Sequence, residues 1–357
     1  MNNPIYTPIS KTKVGESRAM IRLDQDTKAR IIPFFDVLAL KAGLQNGADV
    51  HIHLEKQANN IAGAWNGRGA CYVDLLDIVP SARGYDGEHP VAIIHDKIAY
   101  ERVEAIPVVG IDRDIAYRLA IRRVMSAGAA AIAIRLADED FQLPSTLVQK
   151  ISTLVAEVGG HGAELHLFMD FRSIINQSSD IVQLKVDRAL VELRRLKPSR
   201  IVFAASAIVA DMSGFKRNTI NKVARRDYLN WLLIAKRHPD VDFADYGVID
   251  PEYLDLDPRR IKPAAKIRYV SDDHWIVVKG IKWVRDTSQH RRLAEMLSEK
   301  PEFRGADCWG AESIVSAVTG GHAYRRLEDW VTIDQNTHIV HTVRQLSKIR
   351  LLGRVSS

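Results

Sequence analysis

Residues 129–170 read AAAIAIRLADEDFQLPSTLVQKISTLVAEVGGHGAELHLFMD, and this stretch decides the fold class. A short apolar run, AAAIAIR (129–135), is followed by a longer amphipathic segment and then by a second apolar run, AELHLFMD (163–170). Strands that are apolar on both faces must be covered on both faces, and the segment between them supplies the cover. Pro144 and Ser145 start that helix and Gly159–Gly160 stops it, so the spacing predicts a helix from Ser145 to Val158.

The same unit recurs outward in both directions. Further strand candidates are RIIPFFDV (30–37), ACYVDLLDI (70–78), IPVVGI (106–111), RIVFAAS (200–206), VDFADY (241–246) and AKIRYV (265–270). Helices are expected at Asp49–Ala62, Ala92–Val103, Asp114–Ala127, Asp180–Leu196 and Arg225–Arg237. Asp114 caps its helix and Gly128 ends it, because glycine enters the left-handed region without steric cost. Parallel strands joined by helical crossovers close naturally at eight, whereas an open doubly wound sheet opens on a glycine-rich turn that this chain lacks. The expected fold is therefore α/β: a closed (β/α)8 TIM-like barrel over residues 1–280, with a mostly helical C-terminal extension, 281–357, packed on it. AKIRYV is taken as the eighth strand, beside VDFADY, and Ser271–Asp273 as a turn leading back into HWIVVKG (274–280). Helices are expected at Asp286–Lys300, Ala311–Val318 and Thr337–Leu352.

Composition excludes several classes. Among 357 residues, Lys+Arg 50 against Asp+Glu 44 gives a net charge of +6, and the basic pairs Lys216–Arg217, Arg225–Arg226, Arg259–Arg260 and Arg291–Arg292 are interleaved with acids. A solvated surface is favoured over a nucleic-acid face. Cys71 and Cys308 lie far apart without metal-site spacing, no run of about 18 apolar residues could span a bilayer, and the first residues carry no apolar signal core. A cytoplasmic protein without membrane attachment is expected.

In a barrel of this type chemistry sits at the carboxyl ends of the strands. Those ends offer, in order, Asp36, Asp74 or Asp77, Asp112, Arg135, Asp170 with Arg172, Ser206, Asp245 with Tyr246, and Arg268 with Tyr269. Asp36, Asp112, Asp170 and Asp245 are the candidate catalytic acids or bases. Arg135, Arg172, Arg268, Tyr246 and Tyr269 are the candidate anion-binding groups. The set can equally form a structural ion-pair ring. Asp170, Arg172, Asp245 and Arg268 are expected in one cluster, with Asp36 pointing into the mouth. His51, His53 and Glu55, and the pair His338 and His341, are read as surface or packed residues, so no metal is assigned. Trp231, Trp275, Trp309 and Trp330 are read as packing anchors. No P-loop, GxSxG elbow, HExxH, EF-hand or kinase signature occurs, and no cofactor is expected.

Short motifs in a fixed order resemble the beta protein family, which is named after a bacteriophage T4 protein and occurs in bacterial and prophage genomes. The opening block is carried by Tyr6, Pro8, Gly15, Glu16, Pro33 and Asp36, the last where the family has Glu. The central block is carried by Asp245–Tyr246–Gly247, Ile267–Tyr269 and Lys279–Gly280. The closing block is carried by CWGAESI (308–314), Trp330 and Thr337–Ile339. There Asn336–Thr337–His338 departs from the family's Asn-His-His. The resemblance implies a phage-related or antiphage setting and no particular activity.

Two functional readings follow. The favoured one is a non-catalytic barrel scaffold that binds a partner protein, supported by the missing catalytic motifs, the basic helical surface and the extension. The alternative is a hydrolase-like barrel enzyme acting on an anionic or phosphorylated substrate through the strand-end Asp/Arg set. The first expects those side chains to be paired off in a closed mouth, the second a pocket open to solvent.

Overall fold

The computed structural model describes residues 4–41, 43, 46–65, 68–209, 212–252, 263–321, 324 and 326–355, the side chains of 352–355 excepted. Eleven strands are described: β1 (Tyr6–Lys11), β2 (Phe34–Asp36), β3 (Cys71–Asp74), β4 (Ala105–Gly110), β5 (Ala131–Leu136), β6 (Glu164–Ser173), β7 (Arg200–Ser206), β8 (Thr219–Ala224), β9 (Val241–Asp245), β10 (Ala264–Val270) and β11 (His274–Lys282). The helices are α1 (Val14–Ile21), α2 (Gln25–Lys28), α3 (Gly47–Trp65), α4 (Pro90–Tyr100), α5 (Ile115–Ser126), α6 (Leu147–Glu157), α7 (Ser179–Leu193), α8 (Arg226–Arg237), α9 (His290–Ser298), α10 (Trp309–Thr319) and α11 (Leu327–Val355).

Strands β1 to β7 and β9 close an eight-stranded parallel barrel, as expected from the repeated strand–helix unit. Local signals read from sequence hold. Asp114 Oδ1 accepts the Tyr117 N–H at 2.9 Å, and Gly128 has φ +100° just past the end of α5.

One strand assignment is corrected. AKIRYV is β10 and lies outside the barrel, in an antiparallel sheet of order β10–β11–β8. The partners of β9 are β7 and β1, so VDFADY and AKIRYV belong to different sheets. The eighth barrel strand is YTPISK, at the chain's start. Pro8 lacks an N–H, and Thr7, Ser10 and Lys11 break the apolar run, so nothing local marks this segment as a central strand. Barrel closure marks it: Tyr6–Pro8 pair with Phe243–Asp245 and Ile9–Lys11 with Phe34–Asp36. The hairpin expected at Ser271–Asp273 is present, and TINKVA, not recognised in the sequence, adds to it as β8.

Side chains alternate across the barrel wall. The interior layer contains Ile9, Phe34, Tyr72, Val108, Ala133, Phe168, Ala204, Ala244 and Tyr246, while a larger cluster fills the space between the wall and the helices. Phe34, Tyr72 and Phe168 pack ring on ring with centroids 4.9–5.8 Å apart, a solid floor beneath the mouth. The small sheet packs Ile267, Tyr269, Ile276 and Val278 against α9, α10 and α11, a third core beside the barrel.

A candidate site in the barrel mouth

The inward parity that places Phe34 and Phe168 in the floor places Asp36, Asp74, Arg135 and Asp170 one step above it. Arg135 lies over the Phe34 ring at 5.1 Å and is 6% exposed. Its Nη1 donates to Asp36 Oδ1 at 2.7 Å and to Asp74 Oδ2 at 2.6 Å, its Nε to Asp170 Oδ2 at 2.8 Å and its Nη2 to the Tyr246 hydroxyl at 2.7 Å. Tyr246 in turn donates to Asp170 Oδ2 at 2.5 Å, and burial raises its pKa well above the ordinary phenol range, so the donor stays protonated. Lys11 extends the network to Asp36 at 3.2 Å and Asp77 at 2.5 Å, and Arg113 and Tyr117 extend it to Asp74, each at 3.3 Å. Burial works against the Asp36 carboxylate, but Arg135 and Lys11 outweigh it and hold its pKa at about 2.

The sequence-derived candidates divide. Asp36, Arg135, Asp170 and Tyr246 meet in this network, and Asp36 points into the mouth. Arg172 sits at the β6 irregularity with φ +50°; its N–H donates to Asp170 Oδ1 at 2.9 Å and its guanidinium to the Pro251 carbonyl at 2.7 Å. Asp112 is exposed and pairs with Arg113 at 3.0 Å. Tyr269 is buried in the small-sheet core, accepting the Arg304 N–H at 3.1 Å. Arg268 reaches the mouth from the side, donating to Asp334 at 3.0 Å and to the Val248 carbonyl. The expected cluster of Asp170, Arg172, Asp245 and Arg268 therefore does not form.

Asp245 fails to join because it is one residue out of phase with Tyr246 and points through the wall to the outer side. There the Tyr6 hydroxyl donates to Asp245 Oδ1 at 2.6 Å, the Gly247 N–H at 2.9 Å, and His338 Nε2 of α11 lies 2.9 Å from both carboxylate oxygens. The His338 ring stacks on Trp275 at 4.7 Å. Burial would raise Asp245, yet His338, Arg225 and Tyr6 hold it below the ordinary carboxylate range. Burial pushes His338 below the ordinary imidazole range in spite of Asp245. An imidazole depressed in this way is neutral at pH 7, and a carboxylate against Nε2 favours the tautomer that carries its proton there. Nearby, burial and then Asp245 push the buried Asp227 up to about 7.

Residues of all three motif blocks converge here: Tyr6 from the first, Asp245 and Gly247 from the second, His338 from the third. Gly247 has φ +58°, and a Cβ there would lie 2.3 Å from Gln335 Oε1, which accepts the Val248 N–H at 3.0 Å. A Cβ on Gly310 would lie 2.7 Å from the Ile333 carbonyl oxygen, where α10 crosses α11. A family model described as Beta protein matches residues 6–344. The chain belongs to the Beta protein family. No curated protein and no solved structure matches it. In this Beta protein, much of the family pattern is the seam that fastens α11 to the barrel: Thr332 also donates to the Gly15 carbonyl at 3.0 Å, and Asn336 to the Ala19 carbonyl at 3.3 Å.

The remaining histidine pairs are packing elements. His53 Nε2 lies 2.7 Å from the Leu38 carbonyl oxygen, His51 is 3.9 Å from Glu55, and His341 is 3.2 Å from Asp272. Among the described residues no group of three or more His, Cys, Asp or Glu could hold a metal ion. Trp231, Trp275 and Trp330 are buried, and Trp309 lies under the Arg22 guanidinium at 5.3 Å. Asp74 and Asp77, read from the sequence as alternatives, both join the network, whereas Lys11 was hidden from the site reading because β1 was not recognised, and Arg113 because it lies in a loop. Two cavities open at this end. One, of about 270 Å³, lies between the loops after β3 and β4, with Arg113, His89 and Asp112 on its wall; the other, of about 240 Å³, lies beside Lys11. Neither is lined by Arg135, Asp36, Asp74 or Asp170.

Proposed function

We propose that this Beta protein is a non-catalytic barrel scaffold that binds a partner protein. The observation that carries the reading is the saturation of Arg135: its donors are taken by Asp36, Asp74, Asp170 and Tyr246, so the group best suited to clamp an anionic substrate is already neutralised. The hydrolase-like alternative requires one of these carboxylates to leave Arg135, at the cost of a buried unpaired charge. A face for a protein partner is available on the outer layer, where Ile181, Leu184 and Val191 of α7 and Leu229 and Leu233 of α8 are exposed, Val191 at 67%.

Of the basic pairs read from sequence, Lys216–Arg217 is exposed, and the other described pairs are largely engaged within the chain. Arg225 is buried, Arg226 bonds the Ile175 and Gln177 carbonyls, Arg291 pairs with Glu295, and Arg292 bonds Asn218. Arg259–Arg260 lies outside the described residues. No helix among the described residues is long and apolar enough to cross a membrane. A phage-related or antiviral role in the cytoplasm completes the proposal, following from the family's company.

The test is purification of the full chain from its native host, with bound proteins and small molecules identified, beside a Leu184→Asp/Leu229→Asp variant of unchanged thermal stability. A stoichiometric protein retained by the parent and lost from the variant is the expected result. Phosphoester hydrolysis by the parent that disappears in Asp170→Asn would establish the enzyme instead.

A further inference from the structure

The cavity of about 240 Å³ beside Lys11 differs in character from the network next to it. Its wall carries Lys11 and Lys13 from the end of β1 and Lys266 and Arg268 from β10, so two sheets bring four cations to one hollow at the barrel mouth. Lys11 is engaged by Asp36 and Asp77, and Arg268 by Asp334. Lys266 has no such ion pair among the described residues. Burial first, and then Arg268 and Lys279, push Lys266 down to about 8 against the attraction of Asp334. Lys266 therefore faces the hollow beside two further cations, without an ion pair of its own among the described residues.

The wall is built rather than incidental. The Lys279 ammonium donates to the carbonyls of Met212 (2.5 Å), Ser213 and Phe215 (both 3.3 Å), tying down the turn that places Met212 beside Ile208 and Val248 as an apolar side of the cavity. Two carboxylates also line it: Asp250, whose Oδ1 already accepts the Glu252 N–H at 2.8 Å, and Glu252.

We propose that this cavity binds the phosphate group of a small phosphate ester, with Lys266 as its principal cation. Phosphate matches several converging donors better than a carboxylate does, because it presents three terminal oxygens and up to two charges. The volume lies below the range of about 300–1,000 Å³ typical of drug-sized ligands, which limits the occupant to a compact molecule. The apolar side takes its carbon skeleton, and the carboxylates at Asp250 and Glu252 accept from its hydroxyls. The site does not depend on the partner-protein reading.

The test uses the full chain and two probes, inorganic phosphate and glycerol phosphate, titrated at constant ionic strength against chloride by calorimetry and thermal unfolding. Saturable binding with a rise in Tm of about 2–5 °C is expected. Lys266→Gln should weaken it at least about tenfold, whereas Lys236→Gln, on the exposed side of α8, should leave it unchanged. If Lys266→Gln lowers the ligand-free Tm, Lys13→Gln carries the same comparison. Tighter binding of the ester than of inorganic phosphate shows that the apolar side contributes, and equal binding identifies free phosphate as the ligand. The proposal fails if neither probe binds saturably, or if Lys236→Gln weakens binding as much as the cavity variants do.

Discussion

Two buried polar centres lie on opposite sides of one barrel wall, and consecutive residues of the chain belong to each. Tyr246 faces inward to a guanidinium bonded by three aspartates; Asp245 faces outward to a neutral histidine and a tyrosine. The inner centre is an ionic lattice in which every member has opposite charges around it. The outer one is a short hydrogen-bonded chain with a single formal charge, and His338 Nδ1 has no partner among the described residues. The same residue type therefore carries different weight in each. Inside, Asp balances a cation that cannot lose its proton. Outside, Asp orients a ring that can gain one.

Deleting the inner cation should have the largest effect. Arg135→Met leaves Asp36, Asp74 and Asp170 buried with only Lys11 and Arg113 nearby, and it should cost more than the about 3–5 kcal/mol of one broken buried pair, read by urea unfolding or as loss of soluble protein. A variant that unfolds within about 1 kcal/mol of the parent would erase the distinction between the centres. Asp245→Asn should cost less, about 1–3 kcal/mol, because it weakens hydrogen bonds without stranding a charged histidine. A loss near that of Arg135→Met would mean that His338 is protonated in the folded chain.

Acid should separate the centres next. His338 titrates below its unfolded value of about 6.5, and burial pushes His290, which stacks on Trp330 at 4.5 Å, down to about 4. A depressed imidazole pKa contributes stability above the unfolded value and loses it as pH falls through the folded value. Asp36, also depressed, keeps its contribution until pH falls from about 4 towards about 2. Tryptophan fluorescence from Trp275 and Trp330 should therefore change between about pH 6.5 and 4, before barrel-core amides lose hydrogen-exchange protection. Simultaneous loss would show that the two regions unfold as one unit. The smallest effect is expected for Arg123→Ala, which removes pairs to Glu88 and Asp96 at a site where the arginine side chain is 56% exposed; thermal unfolding should register about 0–1 kcal/mol.

Much of the fold was legible because it rests on local physics. Strand–helix alternation, the Asp114 cap and the glycine stops each depend on a few adjacent residues, and seven of the eight expected runs are barrel strands. The error at AKIRYV has the same origin read in reverse. Its β-branched and aromatic residues mark a strand, but a local pattern cannot say which sheet the strand joins, and YTPISK closes the barrel by pairing on one side with β2 and on the other with residues more than two hundred positions away.

The sequence by itself determined the fold class, the family pattern and a polar character for the strand ends, since composition and periodicity carry all three. Tertiary structure alone decided which polar ends face each other. A one-residue change of phase sends a side chain through the wall, so Asp245 and Tyr246 part company although they are neighbours. Barrel closure brought Lys11 to Asp36, and the docking of α11 brought His338 to Asp245. Those contacts depend on register and on the packing of distant elements, which no short window of residues contains.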